Sequence, residues 1–310
     1  MDYEHITSEA NRHLVRVLFW GTQSVFAQVV LAGMLAQGVA VCGVMLPGET
    51  AVSVTPRQPD SFVSDLPLLT PYVAQDTVHI AWANRLPVWE VGQEKAQETL
   101  SLLKTLHPDV VVTACWPRRI PVETLAVPEY GFWNVHPSLL PDYRGPAPLF
   151  WQWRAGEPHM GVTLHQMDTT LDTGAIVAQR EVVLPDGITG PEADRLLGRV
   201  GSELVGSAVS RLQQGVLSLV PQPAGGSYQS WPTDADFGLD LNWTARQAFN
   251  FMRGTAEWGR PYFVDVAGER LWLLEALDWY EDRQQKRPFH RQGNRATIQF
   301  RSGILLARTK

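Results

Sequence analysis

The chain is poor in cysteine and has no long apolar run. Its 310 residues include two cysteines, Cys42 and Cys115. Both fall in segments predicted to be buried strands, where we expect small packed side chains rather than a disulfide. No apolar run approaches the roughly 20 residues that a transmembrane helix requires, and the first residues lack the basic and apolar regions of a signal peptide. We therefore expect a soluble, cytoplasmic, globular protein.

The common nucleotide-binding loops are also missing from the sequence. The turn after the first predicted strand holds a single glycine, Gly21, so the GxGxxG fingerprint is absent, and no GxxxxGK[ST] phosphate loop occurs. His159 and His165 have no cysteine or carboxylate at a metal-ligand spacing. The loops give no support to a nucleotide cofactor, and we expect no metal site.

Acidic residues are absent from the last part of the chain. The net charge is −6, yet residues 283–310 carry eight basic side chains and no acidic ones. Such a segment is compatible with phosphate binding, and equally with a solvated surface. The hydrophobic content of 45% is ample for the packed cores of one large and one small domain, or of two medium ones.

The first half of the chain alternates between strand and helix patterns. Predicted strands cover residues 14–20, 39–45, 78–82 and 108–115, and predicted helices cover residues 24–37 and 92–106. This order is typical of a parallel, doubly wound α/β sheet. Residues 46–75 contain five prolines and little periodicity, so we predict a long mobile loop there.

The second half continues this pattern and then changes in composition. Strands are predicted at residues 131–136, 161–167 and 175–184, and helices at residues 149–155 and 189–214. Residues 221–230 have the composition of a linker, so the predicted domains are residues 1–220 and 231–310. The later domain has one helix that begins at Thr244 and four alternating segments, which favours a small β-barrel of the OB kind.

Two polar side chains end the strand predicted at residues 131–136. Asn134 and His136 are two apart, so both point to one face of a β-strand while Val135 points into the core. Pro137 keeps His136 extended. Two polar side chains on one face at a strand end are unfavourable if they serve packing alone. The pair therefore indicates a functional site.

Several motifs together resemble a known family. They are Asn134-Val-His-Pro-Ser-Leu-Leu-Pro141, Tyr143-Arg-Gly145, Gly161-Val-Thr-Leu-His165 and Leu171-Asp-Thr-Gly-Ala-Ile176. These segments resemble the formyltransferases that use 10-formyltetrahydrofolate, and most of all the methionyl-tRNA formyltransferase type. The resemblance covers most of residues 14–275. It implies a Rossmann-like catalytic domain at residues 1–220 and a smaller C-terminal OB-like barrel at residues 231–310.

By this resemblance the catalytic residues are Asn134, His136 and Asp172. Formyl transfer to an amine requires a base for the amine proton and a donor to the oxygen that becomes negative. His136 has an ordinary pKa of about 6.5 as a free side chain, which suits proton transfer at neutral pH. Asn134 offers an uncharged amide to the oxyanion, and Asp172 would orient His136 or hold a bridging water.

The resemblance also places the folate donor, a co-substrate, in a crevice at the carboxyl ends of the strands. The residues expected to contact it are Trp116, Arg118, Arg119, Ile120, Ser138, Leu139, Leu140 and Asp168. The sequence leaves two roles open for the tryptophans, namely stacking on a ligand ring and packing in the core. Asp168 has a second interpretation, in which its carboxylate shapes the turn.

The acceptor amine stays open at the level of sequence. Initiator tRNA bound through the C-terminal domain is the first hypothesis, and an amino-sugar nucleotide, hydrolysis of the formyl folate and a folate-binding sensor are the others. Residues 46–75 hold one basic side chain, Arg57, where the tRNA-formylating type carries a basic insertion. The segment Ala114-Cys-Trp-Pro-Arg-Arg119 replaces the usual Ala-Tyr-Gly. No membrane partner is expected.

Overall fold

The computed structural model describes residues 14–48, 54–57, 76–92 and 97–310. The chain divides into two compact units, each assembled from separate stretches. The first unit comprises Met1–His136, Val162–Arg180 and Leu197–Ala224, and the second comprises Pro137–Gly161, Glu181–Leu196 and Gly225–Lys310. The division predicted at residues 221–230 stays a prediction.

An eight-stranded sheet forms the framework of the first unit. Its strands are β1 (Arg16–Gly21), β2 (Ala40–Pro47), β3 (Val54–Arg57), β4 (Val88–Val91), β5 (Val110–Ala114), β6 (Phe132–His136), β7 (Met160–Gln166) and β8 (Ile176–Val182). They are ordered β3-β4-β2-β1-β5-β6-β7-β8. The five strands from β4 to β6 are parallel, while β3 runs antiparallel to β4 and β7 runs antiparallel to β6. The predicted Rossmann-like, mainly parallel sheet is confirmed.

Helices connect the parallel strands and cover the faces of the sheet. The connecting helices are α1 (Val25–Ala36), α2 (Thr77–Ala83), α3 (Gln97–Leu106) and α4 (Val122–Leu125), and the long α6 (Gly190–Gln213) follows β8. All five residues of β5 are buried, as an apolar strand covered on both faces requires. The hydroxyl of Ser24 accepts the N–H of Ala27 at 3.2 Å and caps α1. Within the described ranges, no helix is long and apolar enough to cross a membrane.

The structure corrects two local predictions. Residues 78–82 form a helix rather than a strand, because the carboxylate of Asp76 accepts the N–H of His79 at 2.8 Å and caps α2. Cys115, predicted to be buried, is exposed just after β5, whereas Cys42 is half-buried. Cys42 and Cys115 are not joined in a disulfide, as expected.

Part of the predicted loop after β2 is also corrected. Residues 54–57, which we expected to be irregular, form β3 and pair with β4. The rest of that loop after Gly48 and before Asp76 lies outside the described residues, as do residues 1–13 and the predicted helical residues 93–96.

The second unit contains a curled, antiparallel sheet of five strands. They are β9 (Tyr262–Val266), β10 (Glu269–Tyr280), β11 (Phe289–Gln292), β12 (Arg295–Gln299) and β13 (Ile304–Thr309). Their order is β11-β12-β13-β10-β9, which agrees with the predicted OB-like domain. The prediction missed β11, because three of its four residues are exposed and the strand has no buried alternation to reveal it.

An aromatic cluster holds the helices of the second unit against one another. These helices are α5 (Pro148–Ala155) and α7 (Ala245–Gly254). The ring of Phe150 lies 5.2 Å from those of Phe237 and Phe251, in edge-to-face geometry. The predicted cap of α7 is confirmed, since the Thr244 hydroxyl accepts the N–H of Gln247 at 3.0 Å.

Candidate active site

Strand β6 delivers the predicted polar pair. His136 is the last residue of the strand and is buried, and Asn134 is half-buried two residues earlier. Val135 between them is 2% exposed and packs in the core, as the alternation of a strand requires. The backbone therefore presents the amide and the imidazole on one face.

The turn between β7 and β8 brings Asp172 to this pair. Its Oδ1 lies 3.4 Å from Nδ2 of Asn134, and its Oδ2 lies 3.8 Å from Nδ1 of His136. The second distance suits an ion pair but is too long for a hydrogen bond. The three residues predicted to be catalytic thus lie together within the first unit.

The Asp172 turn adopts a backbone conformation that is costly for a residue other than glycine. Its φ angle is 56°, in the left-handed region. The side-chain amide of Gln222 donates to the carbonyls of Asp172 and Gly174, at 2.8 and 2.9 Å. A Cβ at Gly174 would lie 1.8 Å from the carbonyl oxygen of Gln166, so the close approach of the two segments requires glycine.

Gln222 is a site residue that sequence reasoning missed. It lies in the segment predicted to be a linker, and only the fold brings it to the Asp172 turn. The preceding residues are held there by backbone pairing, because Val220 and Ile176 exchange hydrogen bonds of 2.9 and 2.7 Å. The glutamine carries no local sequence signal of this role.

The Asn134 amide is held by groups on both neighbouring strands. Its Oδ1 accepts from the hydroxyl of Thr113 on β5 at 2.9 Å. Its Nδ2 lies 3.2 Å from Nε2 of His165 on β7. The three residues form one row across the sheet, since Thr113 and His165 are the register partners of Asn134. His165 was also missed as a site residue, although the pairing of its segment with β6 would have revealed it.

Asp168 shapes the turn from within. Its carboxylate accepts from the backbone N–H of Thr170 at 2.8 Å and from the hydroxyl of Thr173 at 2.9 Å. This geometry agrees with the structural interpretation of Asp168. Its predicted contact with folate stays a prediction.

The tail after β5 packs into the first unit. Trp116 lies 4.8 Å from the ring of Trp20, and Ile120 is 7% exposed in the same core cluster. The Arg118 guanidinium donates to the carbonyls of Val91, at 2.8 Å, and Gly92. These contacts fix the segment in place.

The remaining predicted folate residues differ in exposure. Arg119 is exposed. In the second unit, Ser138 is fully buried and its hydroxyl donates to the Asp142 carbonyl at 2.8 Å. Leu140 is buried and Leu139 is half-buried. Contact of all these residues with folate remains a prediction.

The arrangement offers the groups that acyl transfer requires. An imidazole can accept a proton, an amide can donate to a developing oxyanion, and a carboxylate can stabilise the imidazolium. Over the part of the chain that the structure describes, no group of three or more His, Cys, Asp or Glu side chains is arranged to hold a metal. His159 instead pairs with Glu181 at 2.6 Å on the surface of the second unit.

The family model and the relatives that match this chain indicate the same family. The family model described as formyl transferase matches residues 51–194, which include Asn134, His136 and Asp172. A methionyl-tRNA formyltransferase of Acetivibrio thermocellus is 33% identical over 199 residues, which is 63% of either chain. That of Pelotomaculum thermopropionicum is 33% identical over 251 residues, 80% of this chain and 75% of the relative.

Solved structures agree on the fold. An N-formyltransferase from Helicobacter canadensis, solved with folinic acid and dTDP-3-aminofucose, superposes with a TM-score of 0.62. It is 18% identical, and the match covers 94% of this chain and 98% of that one. At this identity the likeness shows the fold. Together with the sequence matches, it shows that the chain belongs to the formyl transferase family.

Proposed function

We propose that this protein transfers the formyl group of 10-formyltetrahydrofolate to a primary amine, and that the amine is the amino group of methionyl-tRNA. The observation that carries the proposal is the cluster of Asn134, His136 and Asp172, whose contact distances are 3.4 and 3.8 Å. The names of the curated relatives support the tRNA acceptor. Folate and charged tRNA are intracellular, so we place the activity in the cytoplasm.

His136 acts as the base in this reaction. The neutral amine attacks the formyl carbon, the carbonyl oxygen becomes negative, and the nitrogen loses a proton. Nδ1 of His136 faces Asp172, so we assign proton transfer to the other ring nitrogen. Asp172 then stabilises the imidazolium as it forms. Holding the amine and the formyl donor together supplies a further share of the acceleration.

Asn134 donates a hydrogen bond to the oxyanion. Its Nδ2 carries two hydrogens and lies near two groups, at 3.2 Å from His165 and 3.4 Å from Asp172. We assign the longer contact as the one that the formyl oxygen replaces, because it is the weaker of the two. Loss of a single oxyanion donor typically costs about 3–4 kcal/mol of transition-state stabilisation.

The basic segment 283–310 of the second unit favours a polyanionic acceptor. All eight basic residues of the segment 283–310 are exposed. Arg295 and Arg308 are direct partners across β12 and β13, although like charges in that position destabilise a sheet. Glu275 offsets part of this repulsion through a 3.2 Å ion pair with Arg308. Two adjacent guanidinium groups suit phosphate contacts of the kind that tRNA provides.

An amino-sugar nucleotide is the second candidate acceptor. The structure from Helicobacter canadensis was solved with such a compound and matches almost the full length of both chains. The chemistry of the three residues is the same for either amine. The two acceptors differ in the number of phosphates that contact the protein.

Formyl transfer at two salt concentrations tests the proposal. The protein is mixed with 10-formyltetrahydrofolate and charged initiator tRNA, and both tetrahydrofolate release and formylated amine are followed. Salt-sensitive formylation is the expected result, because several phosphate contacts give a steep dependence on salt. Release of tetrahydrofolate without formylated amine would instead indicate hydrolysis of the formyl folate. Turnover only with an amino-sugar nucleotide would replace tRNA by that acceptor.

A further inference from the structure

A second histidine lies beside the proposed catalytic residues. His165 on β7 is 2% exposed and is the register partner of Asn134 in the antiparallel β6–β7 pair. Side chains directly opposite in such a pair lie on the same face and touch. A buried imidazole needs a hydrogen-bond partner for each nitrogen, and these partners determine which nitrogen carries the proton.

The contacts of His165 select one tautomer. Its Nδ1 lies 2.9 Å from the carbonyl oxygen of Gln166. A carbonyl only accepts, so Nδ1 carries the hydrogen and, in the neutral ring, Nε2 is an acceptor. The neighbour of Nε2 at 3.2 Å is Nδ2 of Asn134, which is a donor. Both contacts are satisfied by the neutral Nδ1–H form.

This tautomer decides which way the Asn134 amide points. Thr113 binds the other end of the amide, but a hydroxyl can donate or accept and therefore fits both orientations. His165 fits only one orientation, because a reversed amide would place Oδ1 of Asn134 against the lone pair of Nε2. The Nδ2 group is thus directed to the side where Asp172 lies, at 3.4 Å.

We propose that His165 is a positioning residue that fixes the Asn134 amide with its NH₂ group toward the reacting formyl oxygen. This proposal rests on the oxyanion role of Asn134 in the proposed function. A protonated His165 would instead donate from Nε2 to Asp172, whose Oδ1 is 3.4 Å away, and would deprive Asn134 of its acceptor. The neutral ring is therefore the functional form.

Three substitutions of similar size separate positioning from packing. In His165→Gln the side-chain amide lies near the place of Nε2 and can still accept from Asn134. In His165→Asn the amide reaches only the place of Nδ1, and His165→Leu keeps the volume without any acceptor. We expect Gln to retain kcat within about threefold, and Asn and Leu to lose roughly 10–100-fold in kcat, the range that loss of a supporting hydrogen bond produces.

The Michaelis constant for folate is expected to stay the same in all three variants, because His165 acts through Asn134. His159→Leu is the matched control, since that histidine is exposed and bound to Glu181, and it should leave kcat unchanged. Equal losses in the Gln and Leu variants would overturn the proposal. If the wild-type protein itself shows no formyl transfer, the proposed function is contradicted instead.

A spectroscopic measurement tests the proposal independently of activity. Nitrogen-15 NMR of the His165 ring in the intact wild-type protein reports which nitrogen is protonated. We expect a neutral Nδ1–H tautomer at pH 7. An Nε2–H tautomer or a cationic ring would overturn the proposal, even if every variant failed to fold.

Discussion

Gly201 of helix α6 packs directly against Val135, the residue between Asn134 and His136. A Cβ atom at Gly201 would lie 2.5 Å from Cγ1 of Val135. Non-bonded carbon atoms do not approach each other this closely, so the helix can pack this near to β6 only with glycine at this position. The packing of α6 therefore sets the position of β6.

Gly201→Ala is expected to impair both stability and turnover. The added methyl group forces Val135 to move, at a cost of about 1–3 kcal/mol in the free energy of unfolding. This movement also displaces the neighbouring side chains of Asn134 and His136. Gly206→Ala in the same helix is the control, because its Cβ would meet only the flexible side chain of Gln37. Urea unfolding and kcat would show the difference, and equal effects at the two positions would contradict this coupling.

His136→Ala and Asp172→Ala are each expected to lower kcat by orders of magnitude. The first removes the base and the second removes the charge that stabilises its protonated form. Folate affinity, measured by fluorescence titration, should stay close to that of the wild type. His159→Ala serves as the control histidine variant. Unchanged turnover in either test variant would exclude the proposed catalytic role of that residue.

Asn134→Ala is expected to reduce kcat chiefly, because an oxyanion donor acts in the transition state. A loss of about 3–4 kcal/mol corresponds to roughly 10²–10³-fold in rate. Steady-state kinetics with varied folate checks this. A raised Michaelis constant with unchanged kcat would mean that Asn134 binds the ground state instead.

Arg295→Glu is expected to increase the stability of the fold and to weaken the binding of tRNA. A carboxylate directly opposite Arg308 replaces repulsion by attraction, which should add about 0.2–1 kcal/mol to the stability of the sheet. The Michaelis constant for charged tRNA should rise and its salt dependence should become shallower. Arg180→Glu, in the first unit, controls for net charge. An unchanged salt slope would argue against a phosphate contact at Arg295.

Asp194 makes stability depend on pH. Its burial, and to a smaller extent Glu257, raises the pKa of the carboxyl to about 6, against the influence of Arg195. Because the folded state favours the protonated form, the stability that this group contributes is present below its unfolded pKa of about 4 and is lost as the pH rises through 6.

Asp194→Asn is therefore expected to stabilise the fold at pH 7 to 8, by on the order of 1–3 kcal/mol. At pH 4 the variant and the wild type should differ little. Thermal unfolding between pH 4 and 8 measures the effect, with Asp282→Asn at an exposed site as the control. A stability difference that is constant over this pH range would show that the Asp194 carboxyl does not titrate there.

Local periodicity predicted much of the secondary structure, but not short apolar segments. Residues 78–82 carry apolar side chains compatible with either a strand or a helix, and length alone does not separate the two. The Asp76 cap and the burial of Thr77, Val78 and Ala81 on one helical face decide the outcome. The Asp76 cap acts over three residues, as the caps at Ser24 and Thr244 do, so the start of this helix was also readable from the sequence.

The sequence by itself determined the groups of the candidate site and their local placement. Asn134 and His136 share a face because side chains alternate along a strand, and the Asp-Thr-Gly motif supplies the glycine that the turn needs. Only the tertiary structure decided which groups support them. His165 faces Asn134 through the register of two antiparallel strands, Gln222 reaches the Asp172 turn from a segment 50 residues away, and Gly201 meets Val135 through helix packing. These contacts join residues far apart in the chain, and no local pattern encodes them.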